Sequence, residues 1–202
     1  MKKAITVCML AGIATAASAQ DFSLSIIPAQ ATLDFSMGPV TFTIDVVGDA
    51  SVGTHLLGGS YGLDTGMSGY VTDIVWIPPS WSSFNTDNGY SGDGNHNQVI
   101  FGQLVVPGVP PFDIPAPGSE LGGLVGSFQV TVDGTLDNDL FLNLDLTAQM
   151  PFSLEVVDVD SGEYFRSSDG NLTLNGASIF IPTPSTLGMF GLAGLVAARR
   201  RR

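Results

Sequence analysis

Apolar and polar residues alternate along most of this chain with a period of two. Val40, Phe42, Ile44 and Val46 interleave with Thr41, Thr43 and Asp45, which is the pattern of a strand with one buried and one wet face. Gly126, Phe128, Val130 and Val132 alternate with Ser127, Gln129 and Thr131, and Leu140, Leu142, Leu144 and Leu146 alternate with Phe141, Asn143, Asp145 and Thr147. The same reading predicts strands over residues 24–27, 31–35, 56–63, 70–77, 98–106, 152–159, 171–174 and 177–181. Helical spacing is nearly absent outside the two ends.

Turn chemistry falls between these segments. Val132-Asp133-Gly134-Thr135 and Asp160-Ser161-Gly162-Glu163 sit where strands would reverse, and Ser168-Asp169-Gly170-Asn171 opens the last pair. Short strands at this spacing predict an all-β fold: a single antiparallel β-sandwich of jelly-roll or immunoglobulin-like type. Two irregular stretches interrupt the pattern. Residues 78–97 (PPSWSSFNTDNGYSGDGNHN) form a polar loop with aromatics, and residues 107–119 (PGVPPFDIPAPGS) carry five prolines in thirteen positions. The second suits a stiff crossover between two sheets.

The ends differ from the body. Lys2 and Lys3 precede an apolar run over residues 4–14, and Ala17-Ser18-Ala19 follows as a small-residue cleavage site, the arrangement of a secretory signal peptide with its helix. The expected division is therefore a signal peptide over 1–19, a sandwich over 20–181 and a tail over 182–202. The only cysteine, Cys8, leaves with the signal peptide, so the exported body has no thiol chemistry. Residues 20–181 hold all 19 acidic residues against the single Arg166, a net charge of −18. Such a body repels nucleic acid and anionic membrane surfaces. It also contains no lysine, which excludes Lys-Asn isopeptide cross-links.

In the tail, Pro182 and Pro184 precede an apolar segment over 186–198, which is followed by Arg199, Arg200, Arg201 and Arg202. As a helix those residues span about 20 Å, short of the roughly 30 Å of a bilayer's hydrocarbon core. The arginines orient the segment with its basic end in the cytoplasm. A Pro-x-Pro motif, a short apolar helix and a terminal arginine cluster in this order resemble the PEP-CTERM sorting signal. That resemblance implies processing by an exosortase, a multi-spanning membrane protease. It also implies transient membrane association and delivery to the cell surface or extracellular matrix. The matching motif is Pro182-Thr183-Pro184, with Thr183 where the family's usual residue is glutamate. An ordinary C-terminal anchor helix is the competing reading of the same residues.

The body resembles the cohesin and carbohydrate-module type of jelly-roll sandwich. The residues that carry this are VTFTIDV over 40–46 and LVGSFQVTV over 124–132, the latter after a proline-rich crossover. No motif in them transfers a binding site.

Candidate chemistry in the body is sparse. Gly58-Gly59-Ser60-Tyr61-Gly62 fits the G-x-S-x-G pattern of hydrolases, but no helix is predicted after it, and glycine packing within a strand is the simpler reading. Asp64-Thr65-Gly66 copies the aspartic-protease tripeptide once only, and reads as a turn. Asp87, Asp93, Asn95 and Asn97 place oxygen ligands at the alternating positions with which short Ca2+ loops begin. Trp81, Phe84 and Tyr90, beside those Asp and Asn residues, are what a sugar-binding platform would use, whereas Trp76 belongs to a core strand. Only His55 and His96 are available as bases. The expected function is thus an exported, non-enzymatic surface or matrix protein, without cofactor unless Ca2+ is held. Its processing partners would be signal peptidase and an exosortase, and its working partner an exopolysaccharide. The alternative is a carbohydrate- or calcium-binding module using residues 78–97.

Overall fold

The computed structural model of the chain describes residues 20–34, 38–66, 69–133 and 140–182. The signal peptide with its helix, Thr183, Pro184, the C-terminal apolar helix and Arg199 to Arg202 lie outside the described residues.

Twelve strands occur among the described residues, in two sheets. One sheet contains β1 (Asp21–Pro28), β2 (Val40–Ala50), β4 (Val71–Ile77), β7 (Gly123–Val132) and β11 (Asn171–Asn175), in the order β11-β1-β2-β7-β4. The other contains β3 (His55–Asp64), β5 (Phe84–Asp87), β6 (Asn95–Gly102), β8 (Leu140–Ala148), β9 (Glu155–Val157), β10 (Tyr164–Arg166) and β12 (Ala177–Ile181). Its main path is β10-β9-β3-β6-β5, and β8 joins β3 to β12. No helix among the described residues is long and apolar enough to cross a membrane.

The alternation read from the sequence is what the sheets bury. Phe42, Ile44 and Val46 of β2 point inward while Thr41 and Asp45 are exposed, and Leu142, Leu144 and Leu146 of β8 do the same. Each fully buried aliphatic or aromatic side chain contributes roughly 1.5–3 kcal/mol of transfer free energy. Tyr61 sits at the centre of the resulting cluster, with its ring 5.6 Å from Phe101 and 6.0 Å from Phe128 across the sandwich. Its hydroxyl donates to the Val125 carbonyl at 3.1 Å and accepts from Trp76 Nε1 at 3.4 Å. Burial pushes the Tyr61 phenol well above the usual tyrosine range, against the smaller opposing effect of the Trp76 hydrogen bond.

A bulge in β7 makes room for this pair. The register of β2 and β7 shifts between Val46 and Val47, opposite Gly126, whose φ is +147°. A Cβ on residue 126 would stand 2.5 Å from both Trp76 Nε1 and the Tyr61 hydroxyl, so only glycine fits beneath the two polar atoms.

Three expectations are corrected. Of the strand expected over 31–35, the described residues 31–34 form none: Leu33 is buried, but the backbone makes only a lone bridge, Thr32 to Phe180, flanked by two hydrogen bonds with Phe180. One inward side chain is enough to produce alternation over so short a stretch. The sandwich is not wholly antiparallel either, because β1 and β11 pair in parallel. The chain crosses between the sheets through the short 3-10 turn Ser167–Asp169, which delivers β11 to the free edge of β1 running in the same direction. Finally, β5 arises within the stretch read as a loop, and β10 lies between the two turns read at 160–163 and 168–171, where the sequence predicts no strand. The proline-rich 107–119 does connect the two sheets, joining β6 to β7.

Candidate binding cleft

The strand β3 is buried over eight consecutive residues, because it is covered on both faces. Its inner face meets the core. Its outer face is partly covered by residues 150–153, where the chain passes from β8 to β9: Ser60 Oγ donates to the carbonyls of Phe152 at 3.1 Å and Met150 at 3.4 Å. At Gly59 the Ser153 carbonyl lies where a Cβ would be, so glycine permits the close crossing. The G-x-S-x-G stretch therefore lies inside a strand, with its serine hydroxyl bonded to backbone. Asp64, of the protease-like tripeptide, accepts the Gly66 N–H at 2.8 Å in a turn.

Beside that crossing, the outer face of β3 and β6 opens into a cleft of about 440 Å³, within the size range of ligand pockets. Gly58, Gly59 and Ile100 form its floor. Phe84 of β5 forms one wall with its ring laid over Gly102, the residue opposite it in the ladder. Phe152 and Tyr164 form the other wall, and Leu104 and Met150 overhang the mouth with more than half their surface exposed.

The polar groups around the cleft are partnered within the protein, except that Arg166, half-exposed, is bonded through Nε and leaves its terminal N–H groups toward solvent. Gln103 donates to the Leu56 carbonyl and accepts from the Ala116 N–H, each at 2.8 Å. The Tyr164 hydroxyl donates to the Val105 carbonyl at 3.0 Å. Arg166 Nε donates to Glu155 Oε1 at 2.6 Å, and the guanidinium lies over the Phe152 ring, 5.1 Å from its centroid. The hydrogen bond and then the charge of Glu155 hold the Arg166 guanidinium above its ordinary range. What the cleft offers an occupant is chiefly apolar contact on a rigid floor.

Of the three aromatics expected to form a sugar platform, only Phe84 faces solvent. Trp81 packs edge-on against Phe101 and is 5% exposed, and its Nε1 donates to the Leu124 carbonyl at 2.7 Å. Tyr90 is half-buried; its hydroxyl donates to the Val71 carbonyl at 2.5 Å and accepts from the Gly94 N–H at 3.2 Å. An indole or phenol that can bury its ring and still satisfy its polar tip does so, so these two anchor the loop instead of displaying stacking faces.

The oxygen ligands expected for Ca2+ are used largely within the loop. Asp93 accepts from the Ser91 hydroxyl and from the Asn95 N–H, in that order the main causes holding its carboxyl below the usual range. Asp87 Oδ1 accepts the Gly89 N–H at 2.7 Å. The Asn97 amide donates to the Asn88 carbonyl at 3.5 Å, while Asn95 Oδ1 is buried without a hydrogen-bond partner. No group of three or more His, Cys, Asp and Glu side chains converges among the described residues. His55 Nδ1 lies 3.1 Å from the Thr54 hydroxyl. His96 turns inward beside Asp87.

Sequence reasoning missed Phe152, Tyr164 and Arg166 as cleft residues. Arg166 carried the available signal, being the sole cation of the body.

No protein-family model matches the chain, and no curated protein matches it. Solved structures similar to it include cohesin modules and their complexes. A chain of a type I cohesin–dockerin complex from Clostridium thermocellum has a TM-score of 0.47 at 10% identity, over 80% of this chain and 99% of that one. The seventh ScaB type I cohesin of Pseudobacteroides cellulosolvens has a TM-score of 0.45 at 12% identity, over 82% and 93%. A type III cohesin of the ScaE anchoring scaffoldin from Ruminococcus flavefaciens has a TM-score of 0.40 at 8% identity, over 82% and 87%. Likeness at this level assigns neither ligand nor partner.

Proposed function

We propose that the chain is an exported, non-enzymatic surface or matrix protein whose sandwich binds a protein partner through the apolar cleft on the outer face of β3 and β6. The observation that carries this is the cleft itself: exposed Phe84, Leu104, Met150 and Tyr164 surround a floor whose neighbouring polar groups, the half-exposed Arg166 apart, already have partners. A sugar needs polar groups able to bond its hydroxyls, and of the expected aromatic platform only Phe84 remains outward. Charge selects among protein partners. Two bodies of net charge −18 repel each other, so the occupant is a different protein that presents apolar side chains flanked by basic ones.

Export and delivery rest on the two ends. The signal peptide brings the body across the membrane, and the PEP-CTERM-like tail, with Pro182-Thr183-Pro184 and Arg199 to Arg202, passes it to an exosortase for release to the surface or matrix. Mass spectrometry of surface and medium fractions is expected to find the body without Arg202. An intact C-terminus there would instead assign the tail to anchoring.

The cleft is tested by a photo-cross-linking amino acid placed at Leu104, with Thr43 on the outside of the other sheet as the control position. The expected result is a discrete adduct from position 104 alone, lost when Ile100→Asp is added. Equal labelling from both positions, or an adduct indifferent to Ile100→Asp, would remove the cleft as the binding site.

A further inference from the structure

We propose that His96 and Asp87 bind a divalent metal ion of the class that favours imidazole, typified by Zn2+. The register of β3 and β6 shifts between Tyr61 and Leu63, and that bulge turns His96 to the inside of the sandwich, its ring 5.1 Å from Phe128. The side chain is wholly buried. Its Nδ1 lies 3.0 Å from the Asn97 carbonyl. A carbonyl only accepts, so Nδ1 carries a proton, and in the neutral ring Nε2 then presents a bare lone pair.

That lone pair faces a carboxylate. Asp87 Oδ1 is 3.2 Å from Nε2, yet Nε2 has no hydrogen-bond partner, because the oxygen stands off the line of a ring N–H. A bare imidazole lone pair and a carboxylate oxygen held this close together require a cation, a metal ion or a proton, between them. The spacing exceeds the roughly 2.7–2.9 Å of a charge-assisted N–H to carboxylate bond. It matches the separation of about 3.3 Å between two ligands of a tetrahedral ion with bonds of about 2.0 Å.

The surroundings suit a metal as well. Donation of Nδ1–H to a backbone carbonyl is how metal-binding histidines are oriented, and Asp87 Oδ1 is fixed in turn by the Gly89 N–H. Asp87 remains 39% exposed while His96 is wholly buried, so the ion enters from the Asp87 side as that carboxylate shifts outward, and completes its shell with water there. With two protein ligands the ion exchanges readily. An imidazole nitrogen in the set favours Zn2+, Ni2+ or Cu2+ over Ca2+ and Mg2+, which separates this site from an all-oxygen loop. The acidity of the body raises the local concentration of any such cation.

The test is thermal unfolding of the untagged full chain against Zn2+ concentration, with Ca2+ and Mg2+ as comparisons. A midpoint that climbs with the logarithm of Zn2+ concentration is expected, lost in His96→Gln and in Asp87→Asn and kept in His55→Gln. No response in the wild type, or a response that survives His96→Gln, overturns the proposal. The rival occupant is a proton: stability that falls with rising pH in the wild type and is flat in His96→Gln, with no Zn2+ response, would assign the pair to it. Should His96→Gln fail to fold, nitrogen NMR of the wild-type imidazoles decides. Zn2+ is expected to move the Nε2 resonance of His96 and to leave His55 in place, and an unmoved His96 resonance rejects the metal.

Discussion

The indole N–H of Trp81 donates to the carbonyl of Leu124 at 2.7 Å, and this bond ties the loop after β4 to β7. The ring itself meets Phe101 of the opposite sheet edge-on at 5.8 Å. Trp81 therefore fastens the two sheets at the end where β5 begins. Trp81→Ala is expected to lower unfolding free energy by about 3–5 kcal/mol, read from the urea midpoint. Trp81→Phe, which keeps most of the ring packing and leaves the Leu124 carbonyl without its partner, is expected to cost about 1–3 kcal/mol. Equal stability of all three proteins would contradict the packing described.

Tyr61 makes stability depend on alkaline pH. Its phenol is raised in the folded state by burial, so its contribution is complete below the ordinary tyrosine range near pH 10. It is lost progressively as pH rises beyond that, with a limiting slope of about 1.4 kcal/mol per pH unit. Tyr61→Phe should show a flatter alkaline limb. At neutral pH it should be less stable by about 1–3 kcal/mol, since the Val125 carbonyl and the Trp76 N–H lose their partner. Paired urea titrations at neutral and alkaline pH measure both effects.

Gly126 is the least replaceable glycine beside that pair. Alanine there is strained by the φ of +147° and drives its methyl into Trp76 Nε1 and the Tyr61 hydroxyl. Gly126→Ala is expected to lose several kcal/mol, of order 2–4 when backbone strain and overpacking add. Gly122, with a φ of +75° but no atom within 4 Å of its Cβ, should lose less on the same change. Differential scanning calorimetry of the two variants ranks them.

The Glu155–Arg166 pair is asymmetric in burial, with side chains 12% and 53% exposed. Arg166→Met is expected to cost about 1–3 kcal/mol, because it leaves a nearly buried carboxylate without its donor. Glu155→Gln should cost less, since the amide oxygen still accepts from the half-exposed guanidinium. A larger loss from Glu155→Gln than from Arg166→Met would reverse the assignment of which group is buried.

Strands with an apolar face long enough to repeat, such as β2, β7 and β8, were legible because burial on one side imposes a period of two. β5 and β10 were not: they have four and three residues, and none is fully buried. Their pairing is decided by neighbours far along the chain. The same distance hid the cleft. Phe84 and Phe152 come to line the same cleft only once the registers of β5 with β6 and of β9 with β3 are set. The inward turn of His96 depends on a bulge that no residue type announces, and the burial of Trp81 depends on a carbonyl 43 positions away. An aromatic in a polar loop looks like a ligand platform until the backbone that satisfies it is in place.

The arginine beside the cleft bears on how the body meets proteases. Within residues 20–181, a protease that cuts after lysine or arginine finds one bond to attack, Arg166–Ser167. That bond is gripped on both sides: Arg166 pairs with Glu155 in the ladder and through its Nε, while the Ser167 N–H donates to the Leu154 carbonyl at 2.9 Å and the Ser167 hydroxyl accepts the N–H groups of Ser153 and Leu154 at 3.1 and 3.0 Å. Trypsin-like enzymes need an extended, freed segment in their own cleft, and the fold withholds it. The body should pass whole through surroundings rich in such enzymes.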